Sequence, residues 1–304
     1  MATLIQNIQD VCLELGLPVP GVAANNSDET ILQLVALLNR VGDTLTTENN
    51  WQVLAKEYRF ETNQIQVNGS IVLDALTIQV DDVTGITTNF QVTGNGVLQD
   101  TYVTAVDPLT NIVTINIPAT GTFVDTTFTF GQANYPMPSD YQRTVNKTQY
   151  NKTNRWSVIG PKTAQEWQWI KASYITTGPR MRYRIMGNEF VVWPAAYGAN
   201  VVLGFEYQSN AWVESATGVP QTKALADTDT FLFPDRLLVL GTKLKYFEIK
   251  GFDTTTLFAD YNRELSKFKA QDAGADTLSM APRYPNILLT QNNLPDTGFG
   301  NTTA

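Results

Sequence analysis

Helical periodicity sits at the two ends of this chain, and that constrains its fold more than any other feature. Leu4, Ile5, Ile8, Val11, Cys12 and Leu15 share one face of a helix predicted from Thr3 to Leu15, which Gly16 and Pro18 stop. Ser27 is the expected N-cap of a second helix lasting to about Glu48, with Asp28 and Glu29 in its first turn and Ile31, Leu34, Val35, Leu38, Val41 and Leu45 along one face. Far downstream, Pro234 and Asp235 open a third helix, with Pro234 at its first position. Leu237, Leu238, Leu240, Leu244 and Phe247 recur at helical spacing up to Gly251. A fourth follows almost at once, capped by Asp253 or Thr254 and carrying Leu257, Phe258, Tyr261, Leu265 and Phe268 on one face, so the last two form an αα-hairpin. Four apolar stripes need cover, and one small bundle built from both chain ends supplies it.

Between the ends the texture is different. Ile71–Leu73, Thr77–Val80, Phe90–Val92, Thr101–Val106, Ile112–Ile117 and Thr126–Phe130 are short Thr, Val, Ile and Phe runs separated by Gly, Asn, Asp and Pro turns. Residues 62–134 therefore read as an antiparallel sandwich or small barrel inserted into the helical body, with its two ends close together. A second β-unit follows. It has a strand near Arg155–Ile159, a capping box from Thr163 to Glu166 opening a short helix with Trp167 and Ile170, and a hairpin of Met181–Met186 and Glu189–Trp193 around Gly187-Asn188. Asn200–Gln208 supplies a further strand of a sheet packed on the bundle. The fold class is α+β. The expected parts are an N-terminal helical part of the body over 1–61, an inserted acidic β-domain over 62–134, a β-rich part of the body over 135–229, a helical hairpin over 230–271 and an extended tail over 272–304.

The composition removes most chemistry. The 304 residues include no histidine, so the commonest general base and metal ligand are missing, and the single cysteine, Cys12, falls on an apolar helix face. Asp227-Thr228-Asp229 lacks the ligand set of a metal site and precedes a helix, where acids are favoured. Gly94-Asn95-Gly96 is followed by strands rather than a helix, so it reads as a turn and not a dinucleotide loop. Asp81 and Asp82 have no glycosidase geometry. The expectation is no enzyme, no cofactor and no metal. The first residues lack a basic stretch before an apolar run, and no run approaches the roughly 20 apolar residues of a membrane helix, so no secretion signal, no membrane and a cytosol-like environment are expected.

Charge is segregated within a net of −8. Phe60 to Gln142 contains no Lys or Arg but has Glu61, Asp74, Asp81, Asp82, Asp100, Asp107, Asp125 and Asp140. From Arg143 to Arg184 nine bases stand against one acid, Glu166. Two modules with different neighbours explain this, chance clustering being the bland alternative. Strand alternation puts Arg180, Arg182 and Arg184 on one face, opposite Met181, Tyr183 and Ile185. Such a row suits protein contact first, a solvated strand edge second and nucleic acid last, given the acidic total. Trp167 and Trp169 are candidate anchors of the same interface, although Trp167, Trp169, Trp193 and Trp212 could equally be core.

Several of these stretches form a familiar pattern. Pro138-Ser139-Asp140-Tyr141-x-Arg143, Tyr183-Arg184-Ile185-x-Gly187-x-x-Phe190-x-Val192-Trp193-Pro194, Phe205-Glu206-Tyr207 and the helix pair from Asp235-Arg236-Leu237 to Tyr261-x-x-Glu264-Leu265 resemble the head-to-tail adaptor, or connector, proteins of tailed bacteriophages, particularly short-tailed ones. The resemblance spans about 1–60 and 135–271. Gly94-x-Gly96-Val97, Tyr102 to Asp107 and Val113-Thr114-Ile115 resemble small β-domains that recur in phage virion proteins.

The resemblance implies a structural virion protein assembled in the host cytoplasm and located at the neck. It implies a homo-oligomeric, dodecameric ring beneath the portal protein, in contact with the tail nozzle or tube and with tail fibres. Genomic DNA would pass through the bore without sequence-specific binding. The tail, whose apolar cluster is Ile287, Leu288 and Leu289, would dock on a neighbouring component, and the insert would sit outside the ring. The alternative is a tail appendage whose β-domain binds a receptor or glycan.

Overall fold

The computed structural model describes residues 2–172, 180–195 and 198–273. The Ile287–Leu289 cluster lies outside them. The architecture is mixed α+β, with helices α1 (Leu4–Leu15), α2 (Glu29–Glu48), α3 (Ala164–Ala172), α4 (Asp235–Lys250) and α5 (Thr255–Ala273). Two compact units result: Lys56–Tyr207, and Met1–Ala55 together with Gln208–Ala304.

The unit from Lys56 to Tyr207 begins with β1 (Ala55–Glu61) and then builds six strands: β2 (Gln64–Ile71), β3 (Thr77–Val80), β4 (Phe90–Thr93), β5 (Val103–Asp107), β6 (Ile112–Ile115) and β7 (Phe123–Gln132). They are antiparallel in the order β4-β7-β2-β3-β6-β5. The outer strands meet: Gln91 bridges Tyr102, the Asn89 N–H donates to the Val103 carbonyl at 2.8 Å, and Val92 N–H to the Thr101 carbonyl at 2.8 Å. Of sandwich and barrel, the sheet is the barrel-like one. Ile78, Val80, Val92, Val103, Val113, Phe128 and Phe130 fill it. Its two ends are adjacent, since Gln132 N–H donates to the Asn63 carbonyl at 2.9 Å.

The rest of this unit is two small sheets. β8 (Asn134–Pro136), β9 (Tyr141–Thr144), β10 (Tyr150–Asn151), β11 (Trp156–Ser157), β12 (Arg182–Met186), β13 (Glu189–Trp193) and β14 (Val202–Ser209) pair as β12-β13-β8 and β1-β14-β10-β11, with β9 on β14. The β12–β13 hairpin turns at Gly187 and Asn188, both with φ near +60° (59° and 63°), the geometry a two-residue turn requires. Tyr183, Phe190 and Phe205 stack between the sheets at centroid spacings of 4.7 and 5.2 Å. α3 opens on the predicted capping box: Glu166 N–H donates to Thr163 Oγ1 at 3.3 Å, and Thr163 N–H to Glu166 Oε2 at 3.1 Å.

In the other unit α1, α2, α4 and α5 all contribute to one core, centred on Leu4, Ile8, Leu34, Leu38, Trp51, Leu237, Leu238 and Leu265. The helices do not enclose it alone. Trp212, Val213, Phe231 and Phe233 enter the same core from the region of a small sheet, β15 (Val213–Glu214), β16 (Pro220–Gln221) and β17 (Thr230–Phe231), in the order β16-β15-β17.

Local expectations are corrected in four places. Asp28, not Ser27, caps α2, accepting from Thr30 N–H at 2.8 Å; a carboxylate at the positive helix end is the stronger acceptor. Pro234 stands one residue before α4, as its N-cap, and its carbonyl accepts from Leu237 and Leu238 N–H. Phe258 is 53% exposed, because it lies about 100° around the helix from the buried Leu257. The strand expected over Ile71–Leu73 ends at Ile71: Val72 and Leu73 form an exposed turn, closed by Ala75 N–H donating to the Val72 carbonyl at 3.0 Å.

Candidate interaction surface

The carboxylates that might have done chemistry are structural. Asp227 Oδ1 accepts from Ala23 N–H at 3.0 Å and Ala24 N–H at 2.7 Å. Asp229 is buried, and its Oδ2 accepts from Leu225 and Ala226 N–H at 2.8 Å each. This Asp-Thr-Asp run therefore staples loops. Cys12 is buried, and desolvation pushes its thiol pKa upward, away from the reactive thiolate. No cluster able to hold a metal ion occurs among the described residues.

A cleft of about 330 Å³ opens between the barrel seam and the α3–β13 region. Trp167, Met186, Val191 and Trp193 form its apolar wall, and Asn89, Gln91 and Tyr102 come from the barrel. Lys171 Nζ lies 2.7 Å from Asp100 Oδ1 and 5.8 Å from the Trp193 ring centroid. The cleft's acid and base thus neutralise one another. The same seam is pinned by Gln99 Nε2 donating to the Ile170 carbonyl at 2.9 Å and by Ala195 N–H donating to buried Gln91 Oε1 at 2.8 Å.

Part of the basic stretch is paired as well. Lys152 Nζ and Arg59 both reach Glu57, at 2.9 and 2.8 Å, and their hydrogen bonds, Arg59's first, hold the Glu57 carboxyl down to about 2. Lys162 pairs with Glu166, while Arg143, Arg155 and Arg180 are also engaged. Arg182 and Arg184 form no ion pair among the described residues. The expected alternation is present: Tyr183 is buried, and Arg182 and Arg184 are half-buried. Register sets Arg182 beside Trp193 and Arg184 beside Val191, on the sheet face where Trp193 and Val191 cluster with Trp167 and Ile170 of α3.

The two tryptophans expected to share an interface separate. Trp169 is 69% exposed, whereas Trp167 is 2% exposed and belongs to the core beside Ile170, Val191 and Trp193. The helical repeat explains it, since residues two apart face opposite sides.

The family-wide sequence pattern described as SU10 adaptor protein matches residues 99–284, more than half of the chain. The chain belongs to the SU10 adaptor protein family. SU10 adaptors are phage head–tail adaptors, so this is a structural component of the virion. The matched region starts within the barrel, at the loop before β5, and includes α3, the arginine strand β12 and the α4–α5 pair. No curated protein matches the chain. No described helix of this SU10 adaptor is long and apolar enough to cross a membrane.

One part of the adaptor surface was missed by residue patterns. Val72, Leu73, Leu76 and Val124 are all exposed at one end of the barrel. The signal for it was Asp74, a residue that tolerates the left-handed conformation it adopts here, with φ of 61°, and so marks a turn where strand propensity alone continued the strand.

Proposed function

We propose that the chain forms the ring, dodecameric by the resemblance, that joins portal to tail in a short-tailed phage. DNA passes through the bore without sequence-specific contact. The observation that carries this reading is the family match across 99–284, which takes in the helix pair, the β-rich segment and the start of the tail. The charge supports it: the net is −8, and Lys152, Lys162 and Lys171 of the basic stretch are already paired with acids, while each phosphate neutralised would add affinity that a conduit must avoid. In this reading the helical core shared by α1, α2, α4 and α5 builds the ring, the 62–134 barrel projects outside it, and the segment with Ile287, Leu288 and Leu289 docks on a neighbouring virion component. Arg180, Arg182, Arg184 and Trp169 serve as subunit or partner contacts. Mass photometry of the purified chain, alone and mixed with its portal protein, tests this. A discrete ring-sized species, at the latest on the portal, is expected, and a chain that stays monomeric in both samples overturns it.

A further inference from the structure

The cleft between the barrel seam and the α3–β13 region has no part in the adaptor reading, yet it is built like a ligand site. Its volume of about 330 Å³ falls in the range of small-molecule pockets. Two of the side chains that line it carry N–H groups with nothing to donate to. Trp193 is 3% exposed, and its Nε1 has no hydrogen-bond partner among the described residues. Gln91 is 6% exposed; its Oε1 is spent on Ala195 N–H at 2.8 Å, and its Nε2 donates to no described group. That bond also holds Gln91 near Trp193, two residues before Ala195. A buried indole N–H normally finds an acceptor, because leaving it unmet costs free energy that a bound acceptor recovers.

The rest of the cleft narrows what that acceptor belongs to. Both unmet groups are donors, so the ligand's buried end suits an oxygen with no proton of its own to place, a carbonyl rather than a hydroxyl. Trp167, Met186 and Val191 of the same cleft are apolar, which favours a methyl group next to the carbonyl. Lys171 and Asp100 neutralise each other at 2.7 Å, so a charged ligand would find no free counter-charge there. Around the cleft, Tyr102 is 40% exposed and Asn89 is exposed. An open aromatic ring beside an amide suits the C–H face and the hydroxyl groups of a sugar.

We propose that this cleft binds a neutral N-acetylated hexopyranose. The acetamido carbonyl accepts from Trp193 Nε1 and Gln91 Nε2, the acetyl methyl lies against the apolar wall, and the sugar ring stacks on Tyr102. Every residue of the site belongs to the Lys56–Tyr207 unit of one chain, so binding does not require the ring to form.

Saturation-transfer difference NMR on the full chain tests this, with N-acetylglucosamine, N-acetylgalactosamine, glucose and glucosamine as probes. At least one N-acetylated sugar should bind saturably, and glucose and glucosamine at least about tenfold more weakly, since neither offers the carbonyl that the buried donors lack. Trp193→Phe keeps a buried ring but removes the donor, and should weaken binding about tenfold. Tyr102→Ala should weaken it severalfold, and Trp169→Phe, outside the cleft, should leave it unchanged. Far-ultraviolet circular dichroism checks folding; if Trp193→Phe is unfolded, the sugar series and Tyr102→Ala decide the matter. N-acetylalanine methylamide offers the carbonyl and methyl without a sugar ring, and its binding in place of the sugars overturns the proposal in favour of a peptide pocket. No saturable binding of either N-acetylated sugar, equal binding of glucose, or binding indifferent to the loss of the Trp193 donor in a folded chain also overturns it. Each of these results leaves the adaptor reading standing, and a chain that never forms a ring leaves the sugar site standing.

Discussion

Gly42 of α2 lies directly under the indole of Trp212, so close that a methyl group at position 42 would overlap its six-membered ring. That contact lets the helix approach the aromatic stack of Trp212 with Phe231 at 5.4 Å and Phe233 at 6.2 Å. Trp212 is fully buried and its Nε1 donates to Asp43 Oδ1 at 3.3 Å, so the ring cannot swing aside freely. Gly42→Ala should destabilise the protein by about 1–3 kcal/mol through overpacking, in spite of alanine's better helix propensity. Urea unfolding followed by tryptophan fluorescence measures it, and an unchanged or raised midpoint contradicts the packing described.

Asp229 tests the structural role of the Asp-Thr-Asp run. Asp229→Ala leaves the Leu225 and Ala226 N–H groups without their acceptor and should cost about 1–3 kcal/mol. Asp229→Asn keeps one amide oxygen for the same two donors and should cost less. Equal losses in the two unfolding curves would show that the charge, not the acceptor, matters.

Gln91 fastens the barrel to the end of β13. Gln91→Ala should free the buried Ala195 N–H, cost about 1–3 kcal/mol and raise hydrogen exchange at Ala195 more than at residues inside the barrel. Uniform exchange across the unit would contradict this local role.

Alkaline pH should unfold the protein through its buried tyrosines. Burial pushes Tyr135 and Tyr261 up to about 12 and raises Tyr183 and Tyr207 further. The native state holds these protons where an unfolded chain releases them near pH 10, so stability is complete below about that pH and falls as pH rises through the folded values. Tyr183 has a buried hydroxyl with no described hydrogen-bond partner. Tyr183→Phe should therefore change stability by less than about 1 kcal/mol at neutral pH and make its alkaline fall shallower. A series of unfolding midpoints from pH 8 to about 11 reads both effects.

How much of this was legible in the residues depends on what fixes each element. α1, the β12–β13 hairpin and the start of α3 are set locally, by Gly16, by Gly187-Asn188 and by Thr163 with Glu166, and their positions follow from the chain itself. The barrel's closure is less legible. It joins Gln91 to Tyr102 between strands consecutive in sequence but at opposite ends of the sheet order, which no periodicity reports. The candidate surface divides the same way. Alternation along β12 placed Arg182 and Arg184, but the pairing of Lys152, Lys162 and Lys171 with Glu57, Glu166 and Asp100 decided which cations are left over, and two of those acids are far away in sequence. Trp167 and Trp169 look alike in the sequence and part only when α3 settles on the sheet.

The most direct test of the adaptor account is where the chain sits in the virion. Electron cryo-microscopy of intact particles should show several copies side by side around the DNA channel, between the portal vertex and the tail nozzle. Density for this chain as isolated single copies, or on tail fibres away from that junction, would contradict it.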